Sequence, residues 1–215
     1  MEEEEDDDDS DDSDKDDEPP LHVFFDIEAM QTREKHEANL LVAEMENEDE
    51  SFAFKGEHYF EQFFMWLDDR AQEGRQMNLL AHNFQGYDGY FAANDYCKQN
   101  RIIEQIRNGA KLLQVKHNTI RFIDSLSFFQ MPLSAFPKTF GLTELKKGYF
   151  PHLFNNPERQ NCVGLIPGQD YYMPESMTPK DRKAFAEWYR KRQDQNVEFD
   201  FQQELLAYCE SDVRL

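Results

Sequence analysis

Cysteine, positive charge and long apolar runs are all scarce in this sequence. The three cysteines, Cys97, Cys162 and Cys209, form no C-x-x-C pair, which argues against a disulfide framework and against a structural zinc site. No apolar run is long enough to cross a bilayer, and the first residues are acidic rather than basic and apolar. We therefore expect an intracellular protein with no membrane anchor and no secretion signal, and the sequence does not distinguish nucleus from cytoplasm.

Lysine and arginine are outnumbered by acidic residues, 23 against 44. Residues 1–20 hold fourteen of the acids and one lysine, so they carry −13 of the net charge of −21, and the rest of the chain carries −8. Such a segment repels itself and has little apolar surface to bury, so we predict a disordered acidic tail over residues 1–20. The remainder is too acidic for a tight, sequence-independent DNA clamp, but it suits an enzyme that holds cations.

Aromatic residues, in contrast, are plentiful. The chain has 19 Phe and 9 Tyr, enough for one sizeable core in a protein of this length. Apolar runs and turn signals predict strands near 22–25, 39–45, 51–55, 77–81, 102–106, 111–116 and 119–124. Helical spacing and capping residues predict helices from about 60, 90, 179 and 200, with a long loop over 148–177. We therefore expect one α/β domain over residues 21–215.

Two acids stand at the end of the first predicted strand, in Leu21-His-Val-Phe-Phe-Asp26-Ile-Glu28. A strand that is apolar on both faces belongs inside a sheet. Because side chains alternate along a strand, Asp26 and Glu28 lie on one face. Buried acids are costly without a positive partner, so a divalent metal is one reading; a strand end that reaches solvent is the other.

Two further acid sites follow along the chain. Asp88 ends the stretch Asn83-Phe-Gln-Gly-Tyr87-Asp88 between a predicted strand and a helix, where functional loops collect. Tyr208 and Asp212 are four residues apart on the last predicted helix, so they face the same way. Taken singly, Asp88 is equally a helix cap and Asp212 a solvated helix position.

Together, the four carboxylates indicate metal-dependent phosphodiester hydrolysis. Two metal ions about 3.5–4 Å apart bind the attacking and leaving oxygens of an in-line displacement, and carboxylates are the hard ligands that magnesium and manganese prefer. A tyrosine hydroxyl is suited to orienting the attacking water. Without metal the carboxylates would repel one another, and at least one pKa would rise.

The order D-x-E, N-x-x-x-Y-D, Y-x-x-x-D resembles the 3′–5′ proofreading exonucleases of the DEDD superfamily, in the subtype with tyrosine in the third motif. Two further stretches, Phe122-Ile-Asp-Ser-Leu-Ser127 and Leu145-Lys-Lys-Gly-Tyr-Phe-Pro-His152, narrow the resemblance. They look like the exonuclease domain of protein-primed family B DNA polymerases, most of all the Maverick/Polinton transposon branch. The resemblance covers residues 21–215.

The resemblance implies a ribonuclease-H-like fold, a mixed sheet with helices on both faces, and two Mg²⁺ or Mn²⁺ ions. It also implies roles for individual residues. The metal ligands would be Asp26, Glu28, Asp88 and Asp212, and Tyr208 would position the water. The contacts to the 3′ end of single-stranded DNA would be His82, Asn83, Tyr87, Phe91, Ser125, Leu126 and Lys147.

Nothing in the sequence resembles the palm motifs of a polymerase, so we expect no DNA synthesis from this chain alone. The implied partners are a polymerase domain and a terminal-protein primer. Two alternatives stay open at this point. One is a transposon-derived module that binds single strands with little activity, and the other is an RNA-trimming exonuclease of the same superfamily, against which the Ser-Leu and Lys-Gly stretches count.

Overall fold

A seven-stranded sheet forms the centre of the molecule. The computed structural model describes residues 19–31, 35–71, 75–109, 111–142 and 148–215, so most of the predicted acidic tail lies outside the described residues. The strands are β1 (Leu21–Gln31), β2 (His36–Met45), β3 (Ser51–Lys55), β4 (Met77–Ala81), β5 (Glu104–Asn108), β6 (Lys111–His117) and β7 (Ile120–Asp124). Their order across the sheet is β3-β2-β1-β4-β7-β6-β5.

The sheet is mixed, as predicted. β4 runs parallel to both β1 and β7, whereas the other neighbouring strands pair antiparallel. The carboxyl ends of β1, β4 and β7 therefore meet at one edge of the sheet. In open α/β sheets this edge is where ligands bind, and the predicted acids Asp26 and Asp88 lie at this edge with the loop after β4.

Helices cover both faces of the sheet: α1 (Tyr59–Arg70) and α2 (Asp88–Lys98) on one face and α5 (Phe201–Arg214) on the other. Two further helices are α3 (Phe136–Phe140) and α4 (Pro179–Asp194). Val23, Phe25 and Ile27 of β1 are buried in a core shared with α1 and α2. Leu40 and Val42 of β2 are buried in a second core on the opposite face, which they share with α5. β1 thus lies inside the sheet between β2 and β4, as its apolar run predicted, although Phe24 on the α5 side is 38% exposed.

The local signals in the sequence explain the helix boundaries. The aromatic stripe of α1, which includes Phe60, Phe63 and Phe64, is core, with each side chain at most 2% exposed. The hydroxyl of Thr178 accepts the backbone N–H of Asp181 at the start of α4. At α5, the side chain of Asp200 accepts the N–H groups of residues 202 and 203, which satisfies donors that the first turn of a helix leaves unpaired.

The structure departs from the sequence prediction at several boundaries. α2 begins at Asp88, two residues before the predicted start, and β5 begins at Glu104 rather than at residue 102. The loop over 148–177 contains short 3₁₀ turns and a two-residue strand, β8 (Val163–Gly164), that pairs with β9 (Phe199–Asp200). Glycine favours helix ends, so the sequence suggests Gly74 as the stop of the helix that begins near residue 60. Gly74 lies outside the described residues, and α1 ends at Arg70.

Candidate active site

Three carboxylates from two distant elements come together at the carboxyl edge of the parallel strands. Asp26 and Glu28 of β1 and Asp212 of α5 each offer a carboxylate oxygen, and these oxygens lie within 4.8 Å of one another. Asp26 and Glu28 are paired in register with Val42 and Leu40, so both point to the face that α5 covers. The two-residue spacing in the strand therefore places its two acids as the sequence predicted.

Helix α5 is held against β1 by a buried apolar stripe and by one thiol. Leu205, Cys209 and Val213 are buried in the second core, as the sequence predicted for the anchoring face. The thiol of Cys209 donates toward Asp26, 3.4 Å from Oδ2 and 3.5 Å from the backbone oxygen. Burial, and then the charges of Asp26 and nearby acids, raise the pKa of Cys209 well above its ordinary value. The thiol therefore keeps its proton and acts as a donor rather than as a ligand.

Asp88 lines the same cleft and is buried, with 2% of its surface exposed. Burial, and next the charge of Asp26, raise the pKa of Asp88 well above its ordinary value; Glu28 adds to this, while the backbone N–H groups of Asp88 and Ile27 oppose it. Among the described residues, Asp88 Oδ1 has no hydrogen-bond partner. A carboxylate in this position is stabilised in its charged form by a nearby cation.

A single cleft of about 590 Å³ joins these four acids to most of the other predicted site residues, and we call it the acid cleft. It is lined by Asp26, Ile27, Glu28, Gln31, His36, His82, Asn83, Tyr87, Asp88, Leu126, Pro132, Leu133, His152, Tyr208 and Asp212. The donor set suits a hard divalent cation, because the three converging ligand atoms are carboxylate oxygens. The fit rests on this chemistry and on the unpartnered oxygen of Asp88.

Tyr208 is held rigidly where it enters the acid cleft. It is 8% exposed, and its ring stacks on Phe150 at a centroid distance of 5.1 Å. The ring of His152 packs edge-on against it at 5.2 Å. Tyr208 and Asp212 are one helical turn apart on α5 and line the cleft together, as their spacing predicted.

The loop between β4 and α2 is positioned by a buried carboxylate, Asp124 at the end of β7. Its two oxygens accept the backbone N–H groups of Asn83 at 3.0 Å, Gln85 at 3.0 Å and Leu126 at 2.9 Å. Asp124 is only 4% exposed, and hydrogen bonds of this kind are stronger than neutral ones. One side chain thus fixes both the loop that carries Asn83 and the turn that carries Leu126.

Gly86 lies directly against the side chain of Asn83 in that loop. Asn83 adopts a left-handed conformation with φ of 67°, and a Cβ on Gly86 would lie 2.5 Å from Asn83 Oδ1. Real atoms do not approach so closely, so a larger residue at position 86 would displace the Asn83 amide. The pose of this amide is therefore coupled to the small residue at position 86.

The predicted DNA contacts differ in how they relate to the acid cleft. His82, Asn83, Tyr87 and Leu126 line the acid cleft. Ser125 lies just beside it, with its hydroxyl 2.9 Å from His82 Nδ1. Phe91 does not line the cleft and instead packs edge-on against Tyr87 at 5.2 Å. Lys147 lies outside the described residues.

Sequence reasoning missed four residues that belong to the site. His36, Gln31 and His152 line the acid cleft, and Asp124 organises its loops. Nδ1 of His36 lies 3.2 Å from the Tyr87 hydroxyl, although 51 residues separate the two. Asp124 was visible as the acid before Ser-Leu, but its partners are backbone groups of a distant loop, which no side-chain pattern reveals.

The long loop after residue 148 is tied to the strand that carries the acids. Asn155 is 1% exposed, and its amide donates to the carbonyl of Ala29 at 3.0 Å. Its side-chain oxygen accepts from Asn39 at 2.9 Å and from Gln160 at 3.0 Å. The register of β1 and β2 shifts between Glu28 and Ala29, so this amide network fills the irregularity beside Glu28 and brings His152 to the cleft.

Of the helices that the structure describes, none combines the length and apolar character needed to cross a membrane.

His22 is the basic residue of β1 nearest in sequence to Asp26 and Glu28. Its Nδ1 lies 2.7 Å from Glu46 Oε2, so its partner is Glu46.

Comparison with solved structures shows the fold. Phi29 DNA polymerase complexed with single-stranded DNA matches with a TM-score of 0.57 and 14% identity, over 91% of this chain and 30% of that chain. The same polymerase complexed with primer-template DNA matches with a TM-score of 0.56 and 14% identity, over 91% and 30% of the two chains. These matches confirm the ribonuclease-H-like α/β fold that the sequence implied.

Comparison of sequences shows the family. A probable DNA polymerase from Ascobolus immersus is 30% identical over 146 residues, which cover 62% of this chain and 12% of that protein. A probable DNA polymerase from Podospora anserina is 41% identical over 56 residues, 26% of this chain and 5% of that protein. The chain thus corresponds to a small part of these relatives. The model of DNA polymerase type B, organellar and viral, matches residues 68–215, more than half of the chain, and this protein therefore belongs to that family.

Proposed function

We propose that residues 21–215 are a metal-dependent 3′–5′ exonuclease domain that removes nucleotides from single-stranded DNA, the proofreading activity of a protein-primed type B polymerase. The observation that carries the proposal is the convergence of Asp26, Glu28 and Asp212 within 4.8 Å, with Asp88 and Tyr208 in the same cleft. Family membership supports a DNA substrate. The Phi29 polymerase structures with single-stranded and primer-template DNA support the same choice.

Asp26, Glu28, Asp88 and Asp212 are the residues that would hold two Mg²⁺ or Mn²⁺ ions. When bound, such ions supply charge stabilisation to the attacking and leaving oxygens of a phosphodiester. Protein groups do the rest. The carboxylate of Asp212 is carried on a helix that Cys209 fixes against β1, so the spacing of the ligands is set by packing rather than by flexible side chains.

Tyr208 has the position of a residue that orients the attacking water. Its hydroxyl both donates and accepts a hydrogen bond, and its ring is fixed between Phe150 and His152. Fixing the ring restricts where the hydroxyl can hold a water molecule. Orientation of this kind contributes to rate by about 10²- to 10⁴-fold at most, which is less than the loss of a metal ligand.

The opposite wall of the cleft would hold the terminal nucleotide. His82, Asn83, Tyr87 and Leu126 offer polar and apolar contacts there. Ser125 acts through His82 Nδ1, and Phe91 supports the ring of Tyr87. Lys147, whose sequence context suggested a phosphate contact, remains a predicted contact to the DNA backbone.

In this proposal, DNA synthesis belongs to a separate palm domain, whose motifs do not occur in this sequence. A polymerase domain and a terminal-protein primer are accordingly proposed partners of residues 21–215, and the acidic segment over residues 1–20 is proposed to be dispensable for both fold and chemistry.

The test is release of mononucleotides from a 3′-labelled single strand, with magnesium and manganese compared. Wild-type protein should release labelled mononucleotide only when a divalent metal is present, and the double variant Asp26→Ala, Glu28→Ala should release none. If wild type shows no metal-dependent release at any protein concentration but still binds the strand, the binding-module alternative replaces this proposal. A single-stranded RNA of the same sequence tests the RNA-trimming alternative, which faster release from RNA than from DNA would favour.

A further inference from the structure

A cluster of phenylalanines lies beside the acid cleft with much of its surface open to solvent. We call Phe128, Phe129, Phe136 and Phe140 the aromatic platform. Phe128 is 71% exposed, Phe140 is 48% and Phe129 is 43%, whereas Phe136 beneath them is 7% exposed. Leaving three phenylalanine side chains in water is unfavourable, and exposed apolar patches of this kind mark interaction sites.

The platform is ordered rather than a chance collection of side chains. The rings of Phe129, Phe136 and Phe140 pack edge-on against one another, with centroid distances of 5.3–5.7 Å. Phe128 and Phe129 follow the Ser125 turn directly, and their N–H groups both bond to the Ser125 carbonyl. The cluster is therefore attached to the turn that carries the predicted Ser-Leu contacts.

The platform continues from the acid cleft without a break. Phe136 packs edge-on against His82 at 5.4 Å. A second hollow of about 390 Å³, lined partly by Phe129 and Phe136, shares His82, Leu133 and Asp212 with the acid cleft. A strand whose 3′ end reaches Asp212 can therefore run over His82 toward the phenylalanines.

Charge in this region favours stacking over phosphate contacts. Among the described residues that line the two hollows, Arg214 is the one lysine or arginine. Its guanidinium pairs with Glu44 at 3.1 Å. Phosphates gain little from such a surface. Proteins that bind single strands without sequence preference also use aromatic rings, on which every base can stack.

We propose that the aromatic platform holds single-stranded DNA by stacking on the bases that precede the 3′-terminal nucleotide. This inference rests on the proposed exonuclease function, because it takes the acid cleft as the place of the terminal nucleotide. It adds that stacking of bases on the platform contributes to the affinity for the strand beside any phosphate contact, and that this contribution does not depend on salt.

The experiment measures binding separately from cleavage. In an Asp212→Ala background, which suppresses cleavage, the fluorescence of 2-aminopurine placed two to four nucleotides from the 3′ end of an oligothymidine reports stacking. Phe128→Leu and Phe140→Leu keep an apolar side chain but remove the ring. Phe140→Tyr keeps the ring. Ile102→Ala removes an apolar side chain that is 86% exposed and lies outside both hollows.

The parent protein should quench the 2-aminopurine, and each Phe→Leu change should weaken the Kd for the strand. The loss of one base–ring stack corresponds to about 5- to 150-fold, or about 1–3 kcal/mol. Phe140→Tyr should restore both quenching and affinity, and Ile102→Ala should change neither. The slope of log Kd against log salt should stay the same in the Phe→Leu variants, because no phosphate contact is lost.

Three results would overturn the platform. One is unquenched 2-aminopurine in the parent. Another is equal affinity in the parent and the Phe→Leu variants, and the third is a change in oligomeric state on Phe→Leu substitution, which would make the surface a contact between copies. The release assay reports separately: if metal-dependent release occurs while the platform variants bind normally, the platform is wrong and the exonuclease proposal stands. If no nucleotide is released but the quenching depends on the phenylalanine rings, the exonuclease proposal is wrong and the platform still binds single strands.

Discussion

Divalent metal should stabilise this fold measurably, and the geometry of the acids gives the size of the effect. Asp26, Glu28 and Asp212 lie within 4.8 Å of one another. At an effective dielectric constant of about 20–80, two unit charges at that separation repel by about 0.9–3.5 kcal/mol. Each of the three pairs therefore weakens the metal-free protein by about 1 kcal/mol or more, and a bound cation reverses the sign of these interactions.

The assay is thermal unfolding with increasing MnCl₂ or MgCl₂. A ligand at about 100 times its Kd adds about 2.7 kcal/mol to the free energy of unfolding. For a protein of this length, 1 kcal/mol corresponds to about 2–4 °C, so we expect saturating metal to raise the Tm by about 5–10 °C. The measurement belongs on protein lacking residues 1–19, because the fourteen acids of that region bind cations of their own accord.

Glu28→Gln makes the test sharper, because it removes one charge and keeps the shape of the side chain. Two of the three repulsive pairs disappear, so the metal-free variant should be more stable than wild type by about 2 kcal/mol or more. Its metal-induced rise in Tm should be much smaller. The double variant Asp26→Ala, Glu28→Ala should lose most of the rise.

Two outcomes would refute this reasoning. If metal raises the Tm of wild type and of the double variant equally, the cation binds elsewhere. If Glu28→Gln lowers the Tm of the metal-free protein by several degrees, Glu28 is stabilised by its surroundings rather than repelled by its neighbours, and the repulsion account is wrong.

Four further outcomes are expected. Asp212→Ala should reduce mononucleotide release far more than Tyr208→Phe, whose loss should stay within about 10²- to 10⁴-fold; equal losses would contradict the role of Tyr208. Asp124→Ala should lower the free energy of unfolding by about 3 kcal/mol or more in denaturant titrations, since three N–H groups lose a charged acceptor. Lys147→Ala should weaken DNA binding and lower its salt slope by about one. Deleting residues 1–19 should leave the metal-free Tm unchanged within error, and a large fall would show that this segment supports the fold.

The parts of the site that follow local rules could be predicted from the sequence. Asp26 and Glu28 were placed on one face by the period of a strand, and Tyr208 with Asp212 by the turn of a helix. Neither the strand period nor the helical period predicts that β1 and α5 meet. That prediction came from the family resemblance, and the structure brings the side chains of the two elements together.

The parts that depend on distant backbone groups could not be predicted. Asp124 holds N–H groups about 40 residues away, and backbone donors leave no mark on a sequence. The pairing of β8 with β9 joins two segments of two residues each, too short for any periodicity. His36 reaches Tyr87 because β2 begins three residues before the start of the predicted strand.

The distance in sequence between the acids has a consequence for when activity can appear during synthesis. Carboxylate oxygens of Glu28 and Asp212 lie within 4.8 Å of each other, but the two residues are near opposite ends of the described sequence. The site therefore depends on contacts that close a very long loop of chain. Such contacts form late, because their entropic cost is met only after local structure has formed. A nascent chain that has released only its first 200 residues has the strand acids but no partner helix. On the proposed function, hydrolysis would therefore wait until α5 has left the ribosome and docked on β1, because Asp212 is needed to complete the acid cluster.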